Sequence, residues 1–370
     1  MALYFDVLMF DLRDIRFFRT AKYSIIASNF TQIMKILVTG GTGYIGSHTI
    51  VDLQTHGIEV ISADNGINSE ASVLEGVEAL THKKVKHYNI DLCDTGATRK
   101  MFEAEKPDGV IHFAALKAVG ESMEIPLEYF RNNLLSLINT MDAAAQNGCK
   151  AFVFSSSCTV YGNVEKSPVT EDTPLQPAAS AYGRTKQMGE TIIMDAIAKT
   201  GMKAALLRYF NPAGAHPSGL IGESPRQTPQ NLVPVITETA IGKRASLEVF
   251  GNDYPTRDGS CIRDFVHVCD LAAAHTLAMD YLINNRSEDL ISIFNLGIGQ
   301  GVTVLEAIAA FESTTGMKLN YSITARREGD VVAIYSDYTK AQKVLNWNPK
   351  YNIEDIMKTA WQWEVNRNKN

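Results

Sequence analysis

The sequence predicts an α/β fold in which a doubly wound parallel sheet is joined by a smaller C-terminal lobe. Short apolar runs, typical of strands buried on both faces, alternate with helical patterns, and this alternation predicts the parallel sheet. From Asn211 onward the alternation gives way to segments rich in glycine and proline, which predicts the lobe. We therefore divide the chain into an extension at 1–33, a first domain at 34–210 and a second at 211–370, some of whose elements return to the main sheet.

The composition excludes several classes of function. The 370 residues fit about two domains. Apolar residues make up 45% and charged residues 21%, as in soluble globular proteins. No run reaches the roughly 18 apolar residues of a membrane span. A net charge of -6 without a lysine or arginine block argues against nucleic acid as a partner.

The cysteines indicate a reducing compartment. Their number is odd, and none belongs to a C-x-x-C pair, so neither a disulfide framework nor a zinc site is predicted. We expect a cytoplasmic protein without a metal. The five cysteines are Cys93, Cys149, Cys158, Cys261 and Cys269.

Residues 1–33 do not share the alternating pattern. Charged side chains and aromatic residues are scattered through them, without the basic start and apolar core of a signal peptide. Met34 stands directly before the first predicted strand. We interpret Met34 as the natural start, or the segment as a dispensable extension.

A glycine turn follows the first strand. The apolar run 36–38 predicts a buried strand, and Gly40, Gly43 and Gly46 follow at three-residue spacing before a helix that begins near Tyr44. The glycines permit a tight turn, close approach of the backbone to phosphates, and close packing of helix and strand. The helix N-terminus adds N–H groups for the anion. The pattern indicates a pyrophosphate site, although a glycine turn of some other α/β protein is the alternative.

An acidic residue narrows the choice of dinucleotide. A second apolar run, 58–63, ends at Asp64, which lies 18 residues after Gly46. A carboxylate at this place binds the ribose hydroxyls and repels a 2′-phosphate, so it favours NAD over NADP. The first domain is therefore predicted to be an NAD-binding Rossmann fold.

The remaining elements continue the alternation. Pro107 ends one helix and Pro126 begins a long one. Small residues and Lys117 follow the fourth strand, at the edge of the sheet where ligands bind. Asp91, after the third strand, can contact the adenine end of the cofactor or cap a helix, and both interpretations remain open. Strands are predicted at 85–90, 109–115, 151–154, 204–209 and 293–296, and helices at 71–80, 95–104, 180–199, 232–241, 270–284 and 303–316.

Three side chains suggest oxidoreduction of a carbinol. Tyr182 and Lys186 are four residues apart on a predicted helix and therefore project from one face. The tyrosine pKa is about 10, and a lysine cation nearby favours the phenolate. Ser157, at the end of a strand, can bind the same substrate hydroxyl. By itself the Tyr-x-x-x-Lys spacing is common in helices, but its place after a nucleotide-binding half makes it informative.

The motifs resemble those of the extended short-chain dehydrogenases/reductases and, within them, the UDP-glucose 4-epimerase family. The resemblance extends from Met34 almost to the C-terminus. The strings that carry it are Thr39–Gly46 (TGGTGYIG), Phe113–Ser122 (FAALKAVGES), Ser155–Gly162 (SSSCTVYG), Tyr182–Lys186 (YGRTK), Arg208–Gly219 (RYFNPAGAHPSG) and Arg263–His267 (RDFVH).

The resemblance implies an isomerase that inverts C4 of UDP-glucose and UDP-galactose through a 4-keto sugar. Tyr182 would be the base, Lys186 would hold the nicotinamide ribose, and Ser157 would orient the hydroxyl. Bound NAD would take the hydride and return it. The cofactor site would comprise Gly40, Gly43, Tyr44, Ile45, Gly46, Asp64, Asn65, Asp91, Leu92, Phe113, Ala114, Ala115, Lys117, Asn132, Ser155, Tyr182, Lys186 and Phe210.

The resemblance also implies a UDP-sugar pocket and a dimer. Guanidinium groups suit the diphosphate because they bind its oxygens in pairs. A homodimer is implied through the helices at 127–145 and 182–198. The pocket would comprise Lys117, Ser157, Tyr182, Asn211, Asn231, Leu232, Phe250, Arg263, Arg327, Asp330 and Ile334.

The chain departs from the family pattern at three positions, and two rival functions can be compared with its motifs. Cys158 and Ala115 replace other small residues. Ile334 stands where many bacterial epimerases carry tyrosine, which suggests activity on UDP-N-acetylhexosamines; the alternative is a register shifted by one residue, which would place Tyr335 there instead. A nucleotide-sugar dehydratase would carry an Asp-Glu pair after Ser157, where this chain has Cys158 and Thr159. A non-catalytic NAD-binding regulator typically lacks the tyrosine or the lysine, and this chain keeps both.

Overall fold

The computed structural model describes residues 34–327 and 331–369. The extension at 1–33 and the predicted substrate residue Asp330 lie outside the described residues. Met34–Asn370 forms one unit of the structure. The division at Asn211 into two domains stays a prediction. Among the helices described, none combines the length and the apolar character that crossing a bilayer requires.

Strands and helices alternate through the first half of the chain and become shorter in the second. The strands are β1 (Lys35–Thr39), β2 (Glu59–Asp64), β3 (Lys86–Asn89), β4 (Gly109–His112), β5 (Ala151–Ser157), β6 (Lys203–Tyr209), β7 (Asn211–Ala213), β8 (Leu247–Phe250), β9 (Ile262–His267), β10 (Ile291–Leu296), β11 (Gly301–Thr303), β12 (Tyr321–Thr324) and β13 (Ala333–Ile334). The helices are α1 (Tyr44–Thr55), α2 (Val73–Thr81), α3 (Thr95–Glu105), α4 (Val119–Glu124), α5 (Pro126–Gln146), α6 (Ala181–Thr200), α7 (Leu232–Ala240), α8 (Val268–Ile283), α9 (Val304–Thr315), α10 (Thr339–Leu345) and α11 (Ile353–Arg367).

Seven strands form the main sheet in the order β3, β2, β1, β4, β5, β6, β10. Every neighbouring pair is parallel. The order reverses between β1 and β4, and the crevice outside the carboxyl ends at such a reversal is where open α/β sheets bind ligands. The predicted doubly wound parallel sheet is confirmed.

The two faces of the sheet bury separate apolar clusters. Ile36 and Val38 pack into one cluster, which contains residues of α1 and α8. Leu37, between them, packs into the other with residues of α3, α5 and α6. Successive side chains of a strand point to opposite faces, so a continuous apolar run is what a sheet covered on both sides requires.

The C-terminal lobe is built around β9. This strand pairs in parallel with β7 and β13 and antiparallel with β11. A third apolar cluster collects residues of α7, α9 and α11. Sequence patterns missed β7, β8, β9, β11, β12 and β13, because strands of two to six residues carry little periodicity and are defined by their partners.

Two boundaries differ from expectation near the ends of the central strands. β4 ends at His112 rather than Ala115, because Ala114 N–H donates to the Thr39 side chain (3.4 Å) instead of to the backbone of a neighbouring strand. β5 continues to Ser157 rather than ending at Phe154, since its last three residues pair with β6.

Candidate active site

The glycine turn between β1 and α1 leaves no room for a side chain at Gly40 or Gly46. Gly40 has a left-handed φ of +66°, and a Cβ there would lie 2.9 Å from Ala114 N. A Cβ at Gly46 would lie 2.2 Å from the carbonyl oxygen of Gly40. The backbone of the turn is therefore bare, as a bound pyrophosphate requires.

The start of α1 is free of competing groups. Gly43, at the N-cap, offers no side-chain cap, and the first turn holds no acidic residue. Tyr44 and Ile45 begin the helix, and the Tyr44 hydroxyl donates to the carbonyl of Gly214 (2.6 Å). An anion is the complement of such an end, because the N–H groups and the helix dipole attract negative charge.

The predicted adenosine-side residues lie at the ends of β2 and β3. The Asp64 carboxylate accepts from Gly66 N–H (2.9 Å), and Asn65 Oδ1 accepts from Ile67 N–H (3.1 Å). Asp91 accepts from Cys93 N–H (2.9 Å), while the cap of α3 is Asp94. Leu92 is buried. Asp91 therefore forms a turn, and a role toward adenine stays a prediction. The bare turn, the uncapped helix and the carboxylate after β2 together fit an NAD dinucleotide.

Ser157, Tyr182 and Lys186 meet where β5 ends and α6 begins. Ser180 caps α6 by accepting from Gly183 N–H (3.0 Å), which starts the helix just before Tyr182. The Ser157 side chain lies close enough to the Tyr182 hydroxyl to favour its ionised form. Lys186 Nζ donates to the Ser155 carbonyl (2.6 Å) and lies 5.8 Å from the Tyr182 ring centroid. The spacing in the sequence thus corresponds to a real constellation.

The pKa values in this constellation differ from the expectation of a phenolate. Burial raises the pKa of Tyr182 to about 12, although the nearby Ser157 side chain opposes this shift. Burial lowers the pKa of Lys186 to about 7, and the Glu190 carboxylate opposes that shift. Desolvation of both charged forms therefore exceeds the mutual attraction that the sequence suggested.

Asn133 was missed by the sequence analysis, which selected its neighbour Asn132. The Asn133 side chain accepts from Leu116 N–H, donates to the Leu116 carbonyl (3.0 Å) and donates to Thr185 Oγ1 (3.0 Å). It thereby ties the segment after β4 to the turn of α6 between Tyr182 and Lys186. Asn132 donates to Asn133 (3.0 Å). Burial of an amide among apolar neighbours is not visible in the sequence.

The segment after β4 lines the same edge. Phe113 packs on His275, with ring centroids 4.6 Å apart, and Ala114 and Ala115 are half-buried beside the glycine turn. Lys117 Nζ forms an ion pair with Glu223 Oε1 (3.0 Å), which also accepts from the Asn231 side chain (3.4 Å). Glu223 was not predicted, and it links a predicted cofactor residue to a predicted substrate residue.

The lobe presents the other predicted substrate residues. Asn211 begins β7, Asn231 is the N-cap of α7, and Leu232 is its first residue. Arg263 Nη1 donates to the carbonyl of Val331 (2.9 Å). The Arg327 guanidinium lies 5.2 Å from the Phe250 ring centroid.

Ile334 lies near the carboxyl end of β5. It pairs with Arg263 between β13 and β9 and is buried in a cluster with Cys158 and Phe210. Tyr335 points elsewhere, because its hydroxyl donates to the carbonyl of Ser167 (3.2 Å). Of the two neighbours, Ile334 is thus the one beside Cys158, the residue that follows Ser157.

Comparisons with known proteins agree with this architecture. A family model described as GDP-mannose 4,6 dehydratase matches residues 37–360. The UDP-glucose 4-epimerase of Bacillus subtilis is 47% identical over 332 residues, which cover 90% of this chain and 97% of that protein. The crystal structure of UDP-glucose 4-epimerase from Bifidobacterium longum in complex with NAD+ and UDP is 41% identical, with a TM-score of 0.86 over 90% of this chain and 99% of that chain.

A further solved structure is that of the UDP-Glc/GlcNAc 4-epimerase from Campylobacter jejuni. It is 38% identical, with a TM-score of 0.78 over 90% of this chain and 99% of that chain. Identity of this level over nearly the whole length of each relative confirms the resemblance that the motifs indicated. The chain belongs to the UDP-glucose 4-epimerase family.

Proposed function

We propose that this chain is an NAD-dependent isomerase that interconverts UDP-glucose and UDP-galactose at C4. The observation that carries the proposal is the meeting of Ser157, Tyr182 and Lys186 at the carboxyl edge of the sheet. The bare glycine turn opens at the same edge. The nearly full-length identity to UDP-glucose 4-epimerases supports it.

The chain's own residues move the proton. Tyr182 takes the proton of the sugar 4-hydroxyl and returns it, and Ser157 orients that hydroxyl by a hydrogen bond. Bound NAD supplies a reversible hydride acceptor and a positively charged ring. Lys186 supplies an ammonium group, and its bond to the Ser155 carbonyl fixes its place. A 4-keto sugar that rotates within the site before it is reduced can receive the hydride at C4 on either face.

The lobe holds the UDP part of the substrate. Arg263 and Arg327 bind the diphosphate, because guanidinium groups contact phosphate oxygens in pairs. Asn211, Asn231, Leu232 and Phe250 line the UDP pocket, and Ile334 lies toward the sugar. Asp330 is retained as a contact on the resemblance alone. The cofactor site comprises the glycine turn, Asp64 and the remaining predicted cofactor residues.

A nucleotide-sugar dehydratase is the nearest alternative, since the matching family model carries that description. Elimination of water needs an acid beside the sugar. The residues after Ser157 are Cys158 and Thr159, neither of which is a carboxylic acid. Burial raises the pKa of Cys158 to about 12, so its thiol is a poor acid.

One experiment decides between these functions. Purified protein is incubated with UDP-galactose, and UDP-glucose is separated and quantified. The epimerase forms UDP-glucose and carries NAD through purification, because each cycle returns the cofactor. A dehydrated 4-keto product, or a protein that binds NAD and converts neither sugar, would contradict the proposal.

The proposal also includes that the chain forms a homodimer and acts in the cytoplasm. α5 and α6 pack together and leave Leu127, Leu135, Ile138 and Met188 exposed, which is the surface a second copy would cover. The five cysteines form no disulfide, in keeping with a reducing compartment. Light scattering of Ile138→Lys tests the dimer, and a mass equal to that of the unchanged chain would contradict this surface.

A further inference from the structure

A buried carboxylate lies one helical turn beyond Lys186. Glu190, on α6, is 1% exposed and takes no part in the proton transfer proposed above. Its Oε1 accepts from Arg208 Nε (2.9 Å) and from Ser156 Oγ (2.5 Å), and its Oε2 accepts from Arg208 Nη2 (2.7 Å). Two parallel bonds from one guanidinium fix the carboxylate in one orientation.

Arg208 is itself held in place. Its Nη1 donates to the Tyr161 hydroxyl (3.2 Å), and that hydroxyl donates to Asn295 Oδ1 (2.6 Å). Ser156, Arg208 and Asn295 are in register on β5, β6 and β10. The network therefore crosses three neighbouring strands at their carboxyl ends, and Glu190 connects it to α6.

Glu190 contacts the residue that separates two active-site groups. Ser156 lies between Ser155, whose carbonyl receives Lys186 Nζ, and Ser157, which lies close to the Tyr182 hydroxyl. A shift of the Ser156 side chain would therefore move both neighbours, since all three belong to one strand end. Glu190 thus acts on the geometry of the constellation from the opposite face of β5.

The charges around Lys186 give Glu190 a second effect. His112, on β4, is neutral at physiological pH, because burial and the Lys186 cation lower its pKa to about 3. The Phe154 ring (4.9 Å) and the Ser155 carbonyl from β5 carry no net charge. Tyr182, on α6, is protonated in the free site, since burial raises its pKa. The carboxylate of Glu190 opposes the desolvation of Lys186, and Arg208 balances that carboxylate from its far side.

We propose that Glu190, held by Arg208, is a positioning residue of the Tyr182–Lys186 pair. Its negative charge favours the ammonium form of Lys186, and its bond to Ser156 fixes the strand end that carries Ser157. This inference rests on the proposed function, because it assigns Glu190 a part in readying Tyr182 to take the proton of the sugar.

The test is the pH dependence of kcat in Glu190→Gln. Loss of the charge favours neutral Lys186, and Tyr182 then ionises without a cation beside it. On the acidic side of the pH profile, the rise of kcat with pH (the acid limb) should move to higher pH by about one unit or more. This is the pKa shift typical of a group, here Tyr182, that loses an opposite charge at about 4–6 Å. KM for the UDP-sugar should stay within about threefold of the unchanged protein's value. Glu190 is buried against Ser156 and Arg208 and is not one of the predicted UDP-sugar pocket residues.

Ser156→Ala is the matched control. It removes one hydrogen bond of Glu190 and leaves both charges of the Glu190–Arg208 pair. Its acid limb should remain at the position of the unchanged protein, so a purely structural disturbance can be told from loss of charge. An acid limb that moves equally in both variants would overturn the electrostatic part of the inference.

A second variant guards against misfolding. Glu190→Gln leaves the Arg208 charge buried without its partner, whereas Glu190→Gln/Arg208→Met removes both charges and keeps the volume filled. An upward move of the acid limb is expected in the double variant too, but a smaller one, because the Arg208 charge that opposed the effect of Glu190 is gone as well. If the unchanged protein epimerises UDP-galactose and the folded variants keep its acid limb, the inference fails and the proposed function stands. If the unchanged protein does not epimerise, the proposed function fails and this inference falls with it.

Discussion

Glu190, beside the catalytic end of α6, and Asp264, in the lobe strand that carries Arg263, are both buried carboxylates held in different ways. Glu190 receives two bonds from one guanidinium. Asp264 is 0% exposed and accepts from three backbone N–H groups and one hydroxyl. Burial raises the pKa of Asp264. Glu190 therefore forms an ion pair, whereas Asp264 accepts hydrogen bonds from neutral donors.

The difference follows from what each region must hold. At the catalytic edge, neighbouring parallel strands already fix the backbone, so the ion pair is free to set the charge near Lys186. In the lobe, Asp264 joins β9 to the loop at 298–299 and to Ser336, two residues after Ile334. Segments far apart in the chain converge there, and a carboxylate with four acceptor positions can bind several of them at once.

The largest effect is expected at the catalytic edge. Tyr182→Phe should lower kcat by about 100-fold or more, since a positioned base contributes about 10²–10⁴. KM should change little, because the ring stays in place. Steady-state conversion of UDP-galactose is the measurement, with Tyr281→Phe, whose ring packs on Phe294, as the control. A variant with near-full activity would mean that another group is the base.

Asp264→Asn tests whether Asp264 holds the segments of the lobe together. The amide places an N–H group against existing donors, so at least one of four bonds is lost, and the free energy of unfolding should fall by about 1–3 kcal/mol. KM for UDP-glucose should rise about tenfold, or about 1.4 kcal/mol, because Arg263 and Ile334 lie on the strands that Asp264 connects. Urea unfolding and steady-state kinetics measure the two effects.

Ser336→Ala is the control for Asp264. It removes one hydroxyl donor and leaves the three backbone N–H donors, so its loss of stability should be smaller, about 1 kcal/mol. If Asp264→Asn lowered kcat at unchanged KM, Asp264 would belong with the catalytic edge and the contrast with Glu190 would disappear.

The pH dependence of stability probes a third buried carboxylate, Asp270, on the helix α8 that packs against the main sheet. Burial raises the pKa of Asp270 to about 6, whereas an unfolded aspartate titrates near 3.9. Between these values the folded protein keeps a proton that the unfolded chain has released, so stability falls as pH rises and the loss is complete above about pH 6. At about 1.4 kcal/mol per pKa unit, we expect this group to contribute a decline of about 3 kcal/mol.

Asp270→Asn isolates that decline. The amide oxygen can still accept from Lys350 and Tyr351 N–H, while the titrating proton is gone. The difference in unfolding free energy between this variant and the unchanged protein should therefore grow in the variant's favour from about pH 4 to pH 6. A difference that is constant with pH would show that Asp270 titrates alike in both states.

The smallest effect is expected at Ile334, where the strands of the lobe meet the catalytic edge of the main sheet. Ile334 packs with Cys158 and Phe210, and the unchanged protein should convert UDP-N-acetylglucosamine as well as UDP-glucose. Ile334→Tyr fills the space that an acetamido group needs, so kcat/KM for the acetylated sugar should fall by about tenfold, or about 1.4 kcal/mol, relative to UDP-glucose. Measuring both substrates in both proteins is the test. If the unchanged protein ignores the acetylated sugar and the variant behaves identically, Ile334 does not determine the size of the pocket.

Local patterns in the sequence were sufficient to predict the parallel sheet, the glycine turn and the proximity of Tyr182 to Lys186. Each depends on residues close together in the chain: the apolar run at 36–38, the three-residue spacing of Gly40, Gly43 and Gly46, and one helical turn between Tyr182 and Lys186. Helix and strand periods determine which side such residues face, so their relation survives folding unchanged.

The tertiary structure alone decided which distant groups support the site. Glu190 and Arg208 are 18 residues apart, and Asp264 and Ser336 are 72 residues apart. Asn133 bonds to Thr185 across 52 residues. Desolvation belongs to the same category, because Tyr182 and Lys186 attract each other in any helix, but only burial raises the pKa of one and lowers that of the other. A pattern in the chain carries no information on how much water remains at a site, and that is why the protonation of this pair follows from the packed structure.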